Sequence, residues 1–328
     1  MVSLALDEFK GPPKNLANIT TPGTKFILLG FTTLDRQSRA LTSVFLSSAY
    51  AGTLAGNLCI VWAVLRDPRL QRLPMYILLG NFSWLEVCYI TTTVPRMLCD
   101  LLSPGLPISF HACFVQVYFF ISMGAIECLL LAAMAWDRYL AICHPLRYPV
   151  LMSLRRCWVL ASSCWLTGFL CLITPIVLIS RLSFCSPYTL DHIVCDPGPL
   201  LAASCTPDPR TEQVCSATSS LLIFTTFLLT LTSYGRILKA VMRLPTWPER
   251  RKAFSTCSSH LVIVGLFYGA GAANYVIPAA AGASGKVVTL VYVVGTPLLN
   301  PLIYSLRNKE MKAALRRILM GEKQGVRL

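Results

Sequence analysis

Charge is scarce in this chain. Of its 328 residues, 13% are Asp, Glu, Lys or Arg, against roughly a quarter in a soluble globular domain. Acidic residues are the scarcer kind, 15 against 29 basic ones, and there are only four histidines. The shortfall argues against a water-soluble domain and for a chain embedded in lipid. The 14 cysteines form no CxxC pair and no Cys/His cluster at ligand spacing, which removes the common zinc patterns. His111, His144, His192 and His260 are dispersed. No Ser/His/Asp set or phosphate-binding loop accompanies them, so an enzyme is not expected. There are no repeated halves of the kind many transporters carry. The start, MVSLALDEFKGPPK, lacks a basic stretch followed by an apolar core. No cleavable signal peptide is therefore expected, and the first apolar stretch would act as its own insertion signal.

What the chain has instead is apolar length. Hydrophobic residues make up 55% of it, and the mean hydropathy is +0.60. A helix needs about 20 mainly apolar residues to cross a bilayer core. Seven stretches meet or approach that, near residues 41–65, 75–98, 112–142, 157–179, 213–242, 258–279 and 287–306. The last two are the weakest, being rich in Gly, Ala and polar residues. Pro95, Pro175, Pro278, Pro297 and Pro301 fall inside these stretches; neighbouring helices can re-satisfy the backbone groups they free. Residues 309–320 follow, with Met311, Leu315, Ile318 and Leu319 on one helical face and Lys312, Arg316 and Arg317 on another. That pattern predicts a short helix lying on the membrane surface. The fold class expected is an all-α membrane bundle of seven helices with a short amphipathic eighth. Residues 1–40 would be an extracellular tail, 41–306 the membrane body, and 307–328 a cytoplasmic amphipathic helix and tail.

The net charge is +14. In a soluble protein this would raise nucleic acid as a partner; here it follows from basic loops on one membrane face, and no nucleic acid is expected. With the N-terminus outside, 20 of the 29 basic residues face the cytosol, as the positive-inside rule requires. Asn18-Ile19-Thr20 is then a glycosylation sequon on the outer side. A second sequon at Asn81 lies within a span and is discounted. Membrane lipid is the implied surrounding, and the plasma membrane the expected location.

Several motifs narrow the class. The stretch MAWDRYLAICHPLRYPVLM covers residues 134–152, PMYILLGNFSWLEVCYITTTVPRML covers 74–98, KAFSTCSSHL covers 252–261 and NPLIYSLRN covers 300–308. Gly56-Asn57 lies on the first span, Ser233-Tyr234 on the fifth, and a long loop, LSFCSPYTLDHIVCDPGPLLAASC, occupies 182–205. In this order and in these spans the set resembles the odorant receptor family of rhodopsin-like G-protein-coupled receptors, over nearly the whole chain beyond the first two dozen residues. Trp136 stands where Tyr is usual, Gln71-Arg72-Leu73 replaces Leu-His-Thr, and Glu86 stands where Asp is commoner. None of these removes a charge or a cysteine that the pattern depends on.

The resemblance implies a receptor that binds small volatile molecules within the bundle, activates a stimulatory heterotrimeric G protein and raises cyclic AMP. It implies that Asp137 restrains Arg138 in the resting state, within the Asp137-Arg138-Tyr139 motif. Tyr234, Asn300, Pro301 and Tyr304 would belong to the same activation switch. Cys113, Cys185, Cys195 and Cys205 allow three pairings, of which the family pattern selects Cys113–Cys195 and Cys185–Cys205. The ligand would touch Phe120, Ile121, Gly124 and Ala125 on the third span, Thr218, Leu222 and Ile223 on the fifth, and Tyr268, Ala272 and Tyr275 on the sixth. Phe120 stands where amine receptors of this fold carry Asp, which implies an uncharged ligand. Glu86 and Glu127, with Asn300, resemble the sodium site of the superfamily. The residues themselves allow either bound sodium or a protonated carboxyl satisfied by its neighbours. No other cofactor is implied.

Overall fold

The computed structural model describes residues 25–206, 208–243, 245–275, 283–307 and 309–320. Among them, seven spans run in chain order as a helical bundle. The first is Arg36–Arg66, the second Pro74–Leu102 and the third Phe110–Cys143. The fourth is Leu154–Leu170 continued by Ile173–Ser180, the fifth Pro209–Met242 and the sixth Trp247–Tyr275. The seventh joins Ala283–Leu290, a π turn Val291–Gly295 and Thr296–Arg307. The amphipathic helix Lys309–Leu319 follows. The sixth contains a short apolar helical segment, His260–Gly271, while the other six are each long and apolar enough to cross a membrane. The bundle is the seven-helix membrane fold expected from the sequence, and the chain is a multi-pass membrane protein.

Local chemistry sets the helix ends. Asp35 caps the first span by accepting from the Gln37 and Ser38 amides, and Ser109 caps the third by accepting from the Ala112 amide at 3.2 Å. Pro74 and Pro209 open the second and fifth spans, where a missing N–H costs nothing and the fixed φ suits a helix. The first span starts at Arg36, before the hydropathy onset at Leu41, because Asp35 can cap a polar turn that hydropathy does not register. The sixth starts at Trp247, eleven residues before the expected 258, since its inner end is basic and polar. Its predicted end at 279 and Pro278 lie outside the described residues.

The prolines locate the irregularities. Pro175 would clash with the carbonyl four residues back, at Cys171, where the fourth span breaks. Pro297 does the same at Val293, inside the π turn of the seventh. The Pro297 carbonyl accepts from Asn57 Nδ2 at 3.1 Å, tying the seventh span to the first. A Cβ on Gly56 would stand 2.8 Å from the Pro301 ring, so only glycine allows this approach of first and seventh spans.

The third span is central: 72% of its most apolar window is buried, against 28% in the first and 17% in the fifth. Leu221, Leu228 and Leu231 on the fifth and Leu41, Val44 and Phe45 on the first are exposed, as lipid-facing residues should be. Asn81, the discounted sequon, accepts from Trp165 Nε1 at 3.2 Å between second and fourth spans.

A small sheet caps the outer end. Strand β1, Lys25–Leu28, pairs antiparallel with β2, Pro107–Ser109, and parallel with β3, Thr189–Leu190. Phe26 packs against Phe110 and Phe184 beneath it. At the inner end, Arg317 of the amphipathic helix donates to Asp67 Oδ2 at 2.6 Å, and the Arg69 amide donates to Oδ1 at 2.9 Å. Burial works to raise the Asp67 pKa, but the Arg317 and Arg69 contacts prevail and hold it below the ordinary carboxylate value. Met311 and Ala314 turn inward and are fully buried, while Leu319 is exposed. The predicted amphipathic helix is thus present and is anchored to the first inner loop by an ion pair.

Candidate functional site: an outer cavity and an inner polar cluster

A cavity of about 260 Å³ lies between the long outer loop and the middle of the bundle. Phe120, Ile121, Gly124, Ala125 and Cys128 of the third span form one wall. Cys215, Ser216, Ser219, Ser220, Leu222 and Ile223 of the fifth form the opposite one. Phe267, Tyr268 and Gly271 come from the sixth, Leu172, Pro175 and Ile179 from the fourth, and Pro197, Gly198 and Leu201 from the loop. Tyr89 and Tyr292 complete an aromatic layer: Tyr89 stacks on Phe120 at 5.5 Å between ring centroids, and Phe267 meets Tyr292 at 5.5 Å. A Cβ on Gly124 would lie 2.9 Å from the Tyr292 hydroxyl; glycine there keeps that tyrosine inside the bundle.

Of the ten residues expected to bind ligand, seven line this cavity: Phe120, Ile121, Gly124, Ala125, Leu222, Ile223 and Tyr268. Thr218 does not. At about 100° of rotation per residue, it is turned away from Ser219, which does line the cavity together with Cys215, Leu222 and Ile223 on one helical stripe. The side chains of Ala272 and Tyr275 lie outside the described residues, as do Asn18 and the side chain of Tyr304.

The outer loop is fastened over this space. Disulfides join Cys113 to Cys195 and Cys185 to Cys205, with Cα–Cα distances of 5.6 and 5.2 Å. Gln116 accepts from the Cys195 amide at 3.2 Å and donates to the Thr92 carbonyl at 3.1 Å. Lys286 pairs with Asp191 at 2.5 Å, and His192 Nε2 lies 3.3 Å from Thr289 Oγ1. The β1–β3 pairing and these contacts were not legible in the sequence, where a four-residue strand leaves no periodic signal.

Deeper in the bundle, Asn300 donates to Glu86 Oε1. Glu86, Glu127 and Asn300 are all within 2% of full burial. Among the described residues, Glu86 Oε2, Glu127 Oε1 and Asn300 Oδ1 have no hydrogen-bond partner, and the two carboxyl groups are close enough to act on each other electrostatically.

At the inner end, Asp137 is buried and its Oδ1 accepts from the Tyr148 hydroxyl at 2.8 Å. Burial first, then the Asp137 carboxylate, pushes the Tyr148 pKa up, which keeps that hydroxyl a donor. Among the described residues no ion pair within 4 Å joins Asp137 to Arg138; Asp137 is hydrogen-bonded to Tyr148, and the Arg138 charge acts on it from further off. Arg138 is half-buried, and its charge acts on Tyr234, Cys257 and His260. Tyr234 and His260 share a 2.6 Å hydrogen bond between fifth and sixth spans. Tyr139 accepts from Arg236 at 3.3 Å and lies 2.9 Å from His144 Nε2. Sequence reasoning missed Tyr148, His260, Arg236 and His144 as members of this cluster. Tyr148 and His260 both stood within motifs already singled out.

The sequence profile of the olfactory receptor family matches residues 46–322. The chain is 52% identical over 298 residues to human olfactory receptor 11H6, covering 90% of each chain. It is 52% identical over 300 residues to human olfactory receptor 11H4, covering 91% of this chain and 92% of that one. Human olfactory receptor 11G2 is 51% identical over 296 residues, or 90% of this chain and 85% of that one.

Proposed function

The chain belongs to the olfactory receptor family, a family of receptors rather than enzymes, and we propose that it couples odorant binding in the outer cavity to a stimulatory heterotrimeric G protein, raising cyclic AMP. The observation that supports this most is one helix carrying both ends of the device. The third span lines the cavity with Phe120, Gly124 and Ala125, and ends in Asp137, Arg138 and Tyr139 among the fifth- and sixth-span partners. A ligand that binds better when the inner ends of these helices are apart shifts the population toward the signalling state. In that state Arg138, Tyr234, Asn300, Pro301 and Tyr304 serve as the switch, and the inner face receives the G protein. The receptor sits in the plasma membrane with its N-terminus outside, in keeping with 20 of 29 basic residues on the opposite side. Expression with a stimulatory G protein should give cyclic AMP responses to a subset of a volatile panel. A receptor abundant at the surface, silent to every volatile and without basal activity would refute the proposal.

Glu86, Glu127 and Asn300 would hold a sodium ion, and their unpartnered buried oxygens fit one, because a buried carboxylate without a partner is costly. The ion would neutralise charge within the bundle; a proton is the competing occupant. Replacing sodium by choline in permeabilised cells should raise basal signalling, and Glu127→Gln should remove that response. Basal signalling indifferent to sodium would leave the proton as occupant.

A further inference from the structure

The cavity's polar groups are unevenly placed. On the fifth span, every threonine and serine inward of the cavity that hydrogen-bonds does so back to its own helix: Thr225 to the Leu221 carbonyl, Thr226 to Leu222, Thr230 to Thr226, Thr232 to Leu228 and Ser233 to Leu229. That is how a hydroxyl in an apolar setting is ordinarily satisfied. Ser216, Ser219 and Ser220 line the cavity, and among the described residues their hydroxyls make no such bond. Further inward, the buried Tyr268 hydroxyl stands beside Thr226 and Thr230. Three serine hydroxyls therefore line the cavity with hydrogen-bonding capacity to spare.

Among the described residues no Lys, Arg or His lines the cavity, so a carboxylate would enter without a counter-charge. Glu212 lines only the rim and is exposed. It lies seven residues, or about 10 Å of helix rise, outward of Ser219, too far to neutralise an ammonium held at Ser219 or Ser220. Size adds a second limit. A cavity of roughly 150 Å³ takes up benzene, with six non-hydrogen atoms. By proportion the 260 Å³ here accommodates a molecule of roughly ten.

We infer that the cavity selects a neutral, singly oxygenated molecule of about ten non-hydrogen atoms, an alcohol or carbonyl compound, with its oxygen bonded by Ser219 and its neighbouring hydroxyls and its carbon skeleton against the Tyr89–Phe120 aromatic layer. This rests on the outer cavity being the odorant site.

The test uses the full-length receptor and probes matched in size: 1-nonanol, nonanal, octanoic acid, nonylamine and decane, with 2-phenylethanol against propylbenzene as a cyclic pair. Both cyclic AMP and ligand-dependent thermal stabilisation of the detergent-solubilised receptor are measured. The alcohols or the aldehyde should act at concentrations roughly tenfold or more below their hydrocarbon counterparts, with the acid and amine weaker still. Ser219→Ala with Ser220→Ala should erase that preference while leaving the hydrocarbons' residual binding unchanged. Thr230→Ala, on the same helix but bonded to its own backbone, should not erase it. Equal response to alcohol and hydrocarbon, a preference for acid or amine, or a preference that survives the double substitution would overturn the inference and leave the odorant cavity intact. Stabilisation by no probe, in receptor that is folded and at the surface, would overturn both.

Discussion

Arg138→Ala should reduce agonist-driven cyclic AMP to background while the receptor still reaches the surface and still binds ligand. Arg138 is half-buried at the inner end of the third span and, among the described residues, makes no ion pair with Asp137 within 4 Å. It is near enough for its charge to act on Asp137 and on the Tyr234–His260 pair that joins fifth and sixth spans. Removing it leaves the outer cavity untouched, because Phe120 is eighteen residues away, about 27 Å along the helix. What is lost is coupling. Couplings between sites in allosteric proteins reach ~3 kcal/mol, roughly 150-fold, so losing this one should take the response below detection. Dose–response curves at matched surface abundance check the result. A variant signalling at half the wild-type maximum would show that the switch does not run through Arg138.

Cys113→Ser should lower surface abundance about tenfold or more and abolish the heat resistance of what remains. The Cys113–Cys195 bond spans 82 residues and holds the outer loop against the third span. By the chain-entropy relation, closing a loop of that length restricts the unfolded chain by about 4–5 kcal/mol, comparable with the whole stability of many domains. Cys195 is fully buried beside Cys113, and Gln116 holds its amide; the substitution would leave a serine hydroxyl and the free Cys195 thiol in an apolar cluster. Cys185→Ser breaks a bond spanning only 20 residues at a more exposed position, so its effect should be the smaller of the two. Surface staining against total protein, with and without a brief heat step, measures both. Wild-type abundance and heat resistance for Cys113→Ser would refute the account, as would the reverse ranking of the two variants.

Much of this molecule could be read without coordinates. Transfer of apolar side chains into lipid is a local property, additive along the chain, so seven spans and the amphipathic helix followed from hydropathy. Their ends did not, because Asp35 and Ser109 act through one or two local hydrogen bonds and the inner end of the sixth span is polar. The third-span motif pointed to Asp137, Arg138 and Tyr139, yet it gave no sign that Tyr148 is the hydrogen-bond partner of Asp137. Tyr148 is eleven residues on and reaches back from a separate helical turn, a contact that no helical spacing encodes. Thr218 failed for a related reason. Hydropathy locates a helix along the membrane normal but leaves its rotation free, and only packing against the third and sixth spans turned Ser219 inward and Thr218 aside.

By itself, then, the amino-acid order determined the number of crossings, the cysteines available for bridging and the buried acids of the bundle, since each depends on the free energy of a side chain in lipid, in water or in an oxidising space. The cavity and its row of unsatisfied hydroxyls, the β1–β3 cap and the assignment of Asp137 to Tyr148 were decided by tertiary structure. Each is a relation between segments far apart in the chain, and the energy that selects it exists only once the helices have packed.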